Sequence, residues 1–125
     1  MPTIAGGWLG EYHFDDGFQE PCGFEATFSA VGPDGMFHGT ILDDGPLGEA
    51  VVHHSRQVGE EMLFTKVYRL KHPDILPVRY EGRFFNDGRL LRGTWAIYGG
   101  RGNRHTMRTG WWEVRRSWEA LTPSG

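Results

Sequence analysis

Met62, Phe64, Lys66, Tyr68 and Leu70 occupy alternate positions, so an extended chain places all five on one face. The opposite face, Leu63, Thr65, Val67 and Arg69, is no more apolar. If Phe64 and Tyr68 point into a core, Lys66 points there with them. A buried ammonium is costly unless a carboxylate, an anion or water stands beside it. Lys66 is therefore the residue whose type and place suggest chemistry. It would hold the polar or anionic head of a ligand, with Tyr12 or Tyr80 as hydrogen-bond donors. The competing expectation is a lysine near a rim, its ammonium reaching solvent along an apolar stem.

A second cation shares a patterned face. Trp112, Val114, Arg116 and Trp118 oppose Trp111, Glu113, Arg115 and Ser117. This places Arg116 to stack on Trp8, a cation–π contact worth ~0.5–2 kcal/mol, and it reads as a structural plug. The six histidines argue against a metal centre. His53 and His54 are adjacent and point to opposite faces of a strand; an inward His54 alone would offer one axial nitrogen. His13, His38, His72 and His105 fall on outward faces or loops. No Cys-x-x-Cys, His-x-His or His-Glu-x-x-His spacing occurs, so no metal and no cofactor is expected. Ser29, Ser55, Ser117 and Cys22 lack a motif that would set a base beside them, and no catalytic residue is named. The segment from Gly99 to Arg108 carries three glycines and three arginines. Such a loop could cradle phosphate or a nucleic-acid backbone. The net charge of −3 argues against a nucleic-acid partner, and a solvated loop or a lid is the better expectation.

These residues need elements to position them. Runs of alternating apolar and polar residues recur about every dozen positions, at 7–14, 23–31, 36–42, 49–55, 62–70, 77–85, 90–98 and 111–118. Turn-forming residues separate them: Pro33-Asp34-Gly35, Asp43-Asp44-Gly45-Pro46, His72-Pro73-Asp74 and Asn86-Asp87-Gly88. No stretch keeps a 3.6-residue apolar period for three turns. With 19 glycines and 14% aromatic residues, the composition suits β-structure with tight turns. Short connections favour antiparallel neighbours, and closure removes exposed edges. The expectation is an all-β fold, an eight-stranded antiparallel up-and-down β-barrel over residues 1–125 as one domain. A β-sandwich is the alternative.

Alternation assigns the faces. Trp8, Tyr12 and Phe14 share one, as do Phe24, Ala26, Phe28 and Ala30. Phe37, Gly39 and Ile41 form another, followed by Val78, Tyr80, Gly82 and Phe84, and by Leu91, Gly93, Trp95 and Ile97. The fourth run is ambiguous: Ala50, Val52 and His54 face in, or Val51, His53 and Ser55 do. Charge is divided along the chain. Residues 1–63 carry 11 acids and one base, and residues 64–125 carry five acids and 12 bases. Opposite walls of a barrel would then differ in sign, with acidic and basic strands paired where the halves meet.

Gly6-Gly7-Trp8 on the first strand, with Arg116 on the last to cover it, resembles the calycin barrels: lipocalins, fatty-acid-binding proteins and avidins. Gly35-Met36-Phe37-His38-Gly39-Thr40 is similar to an avidin third-strand motif, and Gly93-Thr94-Trp95 and the late tryptophans fit as well. The resemblance implies an eight-stranded barrel with a ligand-capable interior. It does not imply biotin binding, because Ile41 stands where avidins carry a tyrosine, and Leu9-Gly10 follow the first tryptophan where they carry a polar residue.

The reading that follows is a non-catalytic protein that takes a small hydrophobic or amphipathic ligand. Phe28, Phe64, Tyr68, Tyr80 and Trp95 would line the barrel, Tyr12 would donate a hydrogen bond, and Lys66 would hold the head. The alternative is a structural or interaction module whose barrel is packed solid. A homo-oligomer is compatible with either. One cysteine, no membrane-length apolar run and no leader-like amino terminus suggest the cytoplasm and no membrane partner.

Overall fold

The structure, a computed structural model, describes residues 2–17, 19–99 and 105–119. Eight antiparallel strands close into one barrel, each pairing with the next and the last with the first. They are β1 (Gly6–Phe14), β2 (Cys22–Phe28), β3 (Gly39–Asp43), β4 (Glu49–Val58), β5 (Glu61–Tyr68), β6 (Val78–Phe85), β7 (Leu90–Gly99) and β8 (His105–Glu119). The up-and-down order is the expected one, and closure excludes the sandwich. Among the described residues no helix is long and apolar enough to cross a membrane.

Several boundaries differ from the sequence expectation, each for a local reason. β3 begins at Gly39, because the preceding chain only touches β4 through a single bridge, Met36 to Arg56. It continues to Asp43, one residue into the supposed turn. In β4 the alternation breaks at His54, whose φ is 52°, where the register with β5 shifts. The bulge turns Ala50 and Val52 inward and then Ser55, so neither uniform reading of that strand holds. His54 is exposed. β8 is longer than expected: His105 pairs with Gly99 and Arg108 with Ile97, so part of the supposed basic loop is strand. Positions 100–104 of that segment lie outside the described residues. Ala30 and Leu70 share parity with inward residues, yet they lie beyond the ends of β2 and β5 and are exposed; Trp118 is exposed because the register of β8 with β1 shifts between Gly7 and Trp8.

Two ends of the barrel differ. At one, Trp8 is 1% exposed beside Ile4 and Phe84, and its indole N–H donates to the Ile4 carbonyl at 2.9 Å. The Arg116 guanidinium lies 4.2 Å from the Trp8 ring. It donates to the carbonyls of Gly88, Ala5 and Thr3 at 3.2, 2.9 and 2.5 Å. One side chain thus ties β8 to the amino-terminal segment and to the β6–β7 connection. In the middle, Phe64 stacks on Tyr80 at 4.8 Å, and both meet Trp112 edge-on. Gly82 makes room for that indole, since a Cβ there would lie 2.6 Å from the Trp112 ring. The Trp112 N–H donates to the carbonyls of Glu81 and Thr94, so the tryptophan is buried without an orphan donor. Surface pairs join the acidic and basic halves at both seams, Arg69 with Glu49 and Arg108 with Asp16, at 3.5 and 2.8 Å. Exposed pairs of this kind contribute little each.

Replacing Trp8 with alanine should lower stability by about 3–5 kcal/mol, the usual range for a buried aromatic, as read from urea unfolding. A loss under about 1 kcal/mol would mean that the Trp8–Arg116 cap does not hold the closed end.

Candidate functional site

At the other end, four strands deliver five polar side chains to one point inside the barrel. β1 supplies Tyr12, β3 ends on Asp43, β5 supplies Lys66 and Tyr68, and β6 supplies Tyr80. Lys66 and Asp43 form an ion pair at 3.3 Å, each side chain 1% exposed. The carboxylate also accepts from the Tyr12 hydroxyl at 3.2 Å and from the Tyr68 hydroxyl. The ammonium donates to the Tyr80 hydroxyl at 3.1 Å. It also lies 4.6, 4.7 and 5.2 Å from the ring centres of Tyr12, Tyr68 and Tyr80. The buried cation is therefore balanced by the protein itself. It is neither at a rim nor waiting for an external anion.

Burial sets the protonation behaviour. Desolvation pulls Lys66 below its ordinary value, and the Asp43 charge opposes that pull. Desolvation pushes the hydroxyls of Tyr12, Tyr68 and Tyr80 upward, and the adjacent Asp43 charge adds to the effect in all three. The tyrosines stay neutral donors, suited to holding a carboxylate or a ligand oxygen.

This cluster forms the floor of a cavity of about 610 Å³ that opens at the barrel mouth. Leu47, Ile75, Leu76, Val78, Trp95 and Ile97 give it apolar walls. Trp95 is fixed by its indole N–H, which donates to the His13 carbonyl at 2.9 Å, and Gly110 leaves the space that its ring occupies. The volume falls within the range of small-molecule sites. Of the side chains expected to line a ligand chamber, Tyr12, Lys66, Tyr68, Tyr80 and Trp95 do line this one. Phe28 and Phe64 lie beneath the floor, where Phe28 packs on Phe37 and Phe64, at 5.4 and 5.5 Å. Aromatic side chains pack the barrel below this floor, and the cavity lies between the floor and the connecting segments at the mouth.

Asp43 is the site residue that sequence reasoning missed. Asp43-Asp44-Gly45-Pro46 has turn composition, which ends the inward series Phe37, Gly39, Ile41 one step short of Asp43. Carrying that alternation two residues further sets Asp43 inside the barrel, as Lys66 is. A larger groove of about 970 Å³ runs along the outside of β5 to β8, past Leu63, Arg83, Arg92 and Trp111. Its lining includes none of the buried ionised groups of the interior. Among the described residues no group of three His, Cys, Asp or Glu side chains could hold a metal. No family model matches the chain, and no curated protein or solved structure matches it.

Asp43 serves three donors and Lys66 serves two acceptors, so the two halves of the pair are not equivalent. Asp43→Leu should lower stability by about 3–5 kcal/mol in urea unfolding, because it strands a buried ammonium. Lys66→Met should be milder, since two tyrosine hydroxyls still solvate the carboxylate. The reverse order would show that the tyrosines do not carry Asp43.

Alkaline titration tests the same cluster. Above the ordinary tyrosine value of 10.0, the native chain keeps protons that the unfolded chain releases. The tyrosine contribution is thus complete below about pH 10 and falls as the pH rises. Lys66 acts in the opposite sense, but only up to its ordinary value of 10.5. Above that pH, stability should drop, and tyrosinate absorbance should show no more than one of the four tyrosines ionised before unfolding. Three ionising in a chain that is still folded would contradict the arrangement.

Proposed function

We propose that the chain is a non-catalytic binding protein that takes an amphipathic small molecule, head first, into the open half of its barrel. The observation that carries this reading is a desolvated but charge-balanced cluster placed at the bottom of an apolar cavity. A core that only needed filling would have no use for five polar side chains there. The closed barrel with its Trp8–Arg116 cap supports a calycin-like, lipocalin- or avidin-like assignment, and the free Cys22 supports a reducing compartment. The charge balance sharpens the choice of head group. An anionic head would meet the Asp43 carboxylate, and a cationic head would meet Lys66. An uncharged polar head that accepts hydrogen bonds from Lys66 and Tyr80 fits both.

The packed half, with Phe28, Phe64 and Trp112, favours the competing reading of a barrel that acts only through its surface. A titration separates the two. An alcohol, a carboxylate and an alkylammonium of equal tail length are added while tryptophan fluorescence is followed, since Trp95 is the tryptophan that lines the cavity. Saturable binding should be tightest for the alcohol. Leu76→Arg, which puts a charge into the apolar wall, should weaken it about tenfold, or ~1.4 kcal/mol. No saturable change with any of the three would leave the surface module as the better account.

A further inference from the structure

Of the chain's 13 basic residues only Lys66 and Lys71 are lysines. Lys71 is exposed on the connection after β5, and Lys66 is the cation inside the barrel. The difference matters chemically, because a guanidinium keeps its proton in a protein whereas an ammonium can give it up and become a nucleophile. We propose that the cavity captures a hydrophobic aldehyde as an imine on Lys66, with Asp43 as the counter-ion of the product. This rests on the binding reading above and names the head group: a carbonyl, which is uncharged and accepts hydrogen bonds.

The surroundings of the Lys66 nitrogen match each stage of that condensation. Asp43, 3.3 Å away, takes one proton from the ammonium and frees the nitrogen lone pair. The nitrogen attacks the carbonyl carbon, a C–N bond forms, and the π pair of the C=O bond moves to oxygen. That oxygen takes a proton lost by the nitrogen, and the Tyr80 hydroxyl, 3.1 Å from the nitrogen, is placed to donate a hydrogen bond to it. Asp43 then returns its proton to the new hydroxyl, which leaves as water while the nitrogen lone pair closes the C=N bond. One aldehyde and one ammonium give one iminium and one water, with no change of oxidation state. The iminium keeps the positive charge of Lys66, so the ion pair with Asp43 is preserved.

Three further features suit the product. Desolvation already lowers the proton affinity of Lys66. Tyr12, Tyr68 and Tyr80 turn their rings toward the nitrogen, where a cation of either kind is stabilised. Lys66 contributes to the cavity floor while only 1% exposed, so an aldehyde reaches it only after entering the cavity.

The test uses the unmodified chain, with naphthaldehyde and cyanoborohydride, followed by peptide mapping by mass spectrometry. Reduction fixes the imine as a secondary amine whose mass gain is the aldehyde less one oxygen atom. The adduct should sit on Lys66 in at least about tenfold excess over Lys71, well inside the effective concentrations that prior binding supplies. The excess should vanish in urea. Naphthylmethanol, which has the same tail and no carbonyl, should compete. Saturable binding of naphthylmethanol by tryptophan fluorescence, with naphthaldehyde adducts no richer at Lys66 than at Lys71, would overturn the imine and leave the binding reading standing. Neither binding nor trapping would overturn both.

Discussion

The ion pair between Lys66 and Asp43 is the constraint on which the rest of this barrel depends. Taking two charges out of water costs several kcal/mol per ion, and their attraction repays that only when every remaining donor and acceptor is matched. Here the matching is supplied by neighbouring strands. Tyr12 from β1 and Tyr68 from β5 give hydroxyls to the carboxylate, and Tyr80 from β6 accepts from the ammonium. The pair therefore fixes four strands to one another at one level of the barrel. A slip of one residue in β3 or β5 would turn Asp43 or Lys66 outward and leave the other charge buried alone. Apolar packing tolerates exchange of one hydrocarbon for another, whereas this arrangement has a single register.

The packed end follows from the same economy. Eight strands enclose an interior that side chains can fill, and at the capped end aromatic residues supply much of that packing. Trp8 and Arg116 seal one mouth, and Phe64, Tyr80 and Trp112 form a layer across the middle. Tyr80 belongs to both halves: its ring stacks in the layer while its hydroxyl faces the ion pair. The polar floor is thus held rigid from below by aromatic contacts and from the sides by strand pairing. A floor fixed in this way would let a small number of polar groups select a head group by position.

Much of this was legible in the sequence. Period-two alternation needs only a strand of correct parity; β2, β5 and β6 keep parity throughout and β7 does from Leu91 onward, so Phe24, Lys66, Tyr80 and Trp95 could be assigned inward from residue type alone. The departures arise where parity is interrupted or where a strand ends. The bulge at His54 adds a residue to β4 and inverts its faces, a change that apolar patterning cannot reveal because Val51 and Val52 are equally good on either side. Asp43 has the composition of a turn and the position of a strand residue, and its place is decided by pairing with Phe24 of β2. Trp118 has the right parity on β8 but lies over Gly7, outside the barrel, since the register with β1 shifts between Gly7 and Trp8. Closure of the ring, and with it the meeting of Lys66 and Asp43 from non-adjacent strands, is a tertiary fact that no local pattern contains.

A neutralised cation at the bottom of a cavity constrains a ligand differently from a bare one. A bare lysine would bind any anion by Coulomb attraction, with little regard to shape and with strong dependence on salt. Lys66 already has its counter-charge at 3.3 Å, so a second anion gains little from it and is repelled by Asp43. What remains is directional: the ammonium N–H groups are aimed at Asp43 and Tyr80, and the Tyr80 hydroxyl, which accepts from Lys66, has its own proton to donate. Directional donors in a low-dielectric site discriminate by geometry, because a ligand that fails to match them leaves a desolvated group unpaired. For a ligand of the proposed kind, the apolar walls would supply affinity without orientation, and the floor orientation with little net charge. On the binding reading proposed above, selectivity would reside at the cavity floor, where the sequence placed the one lysine that packing alone does not require.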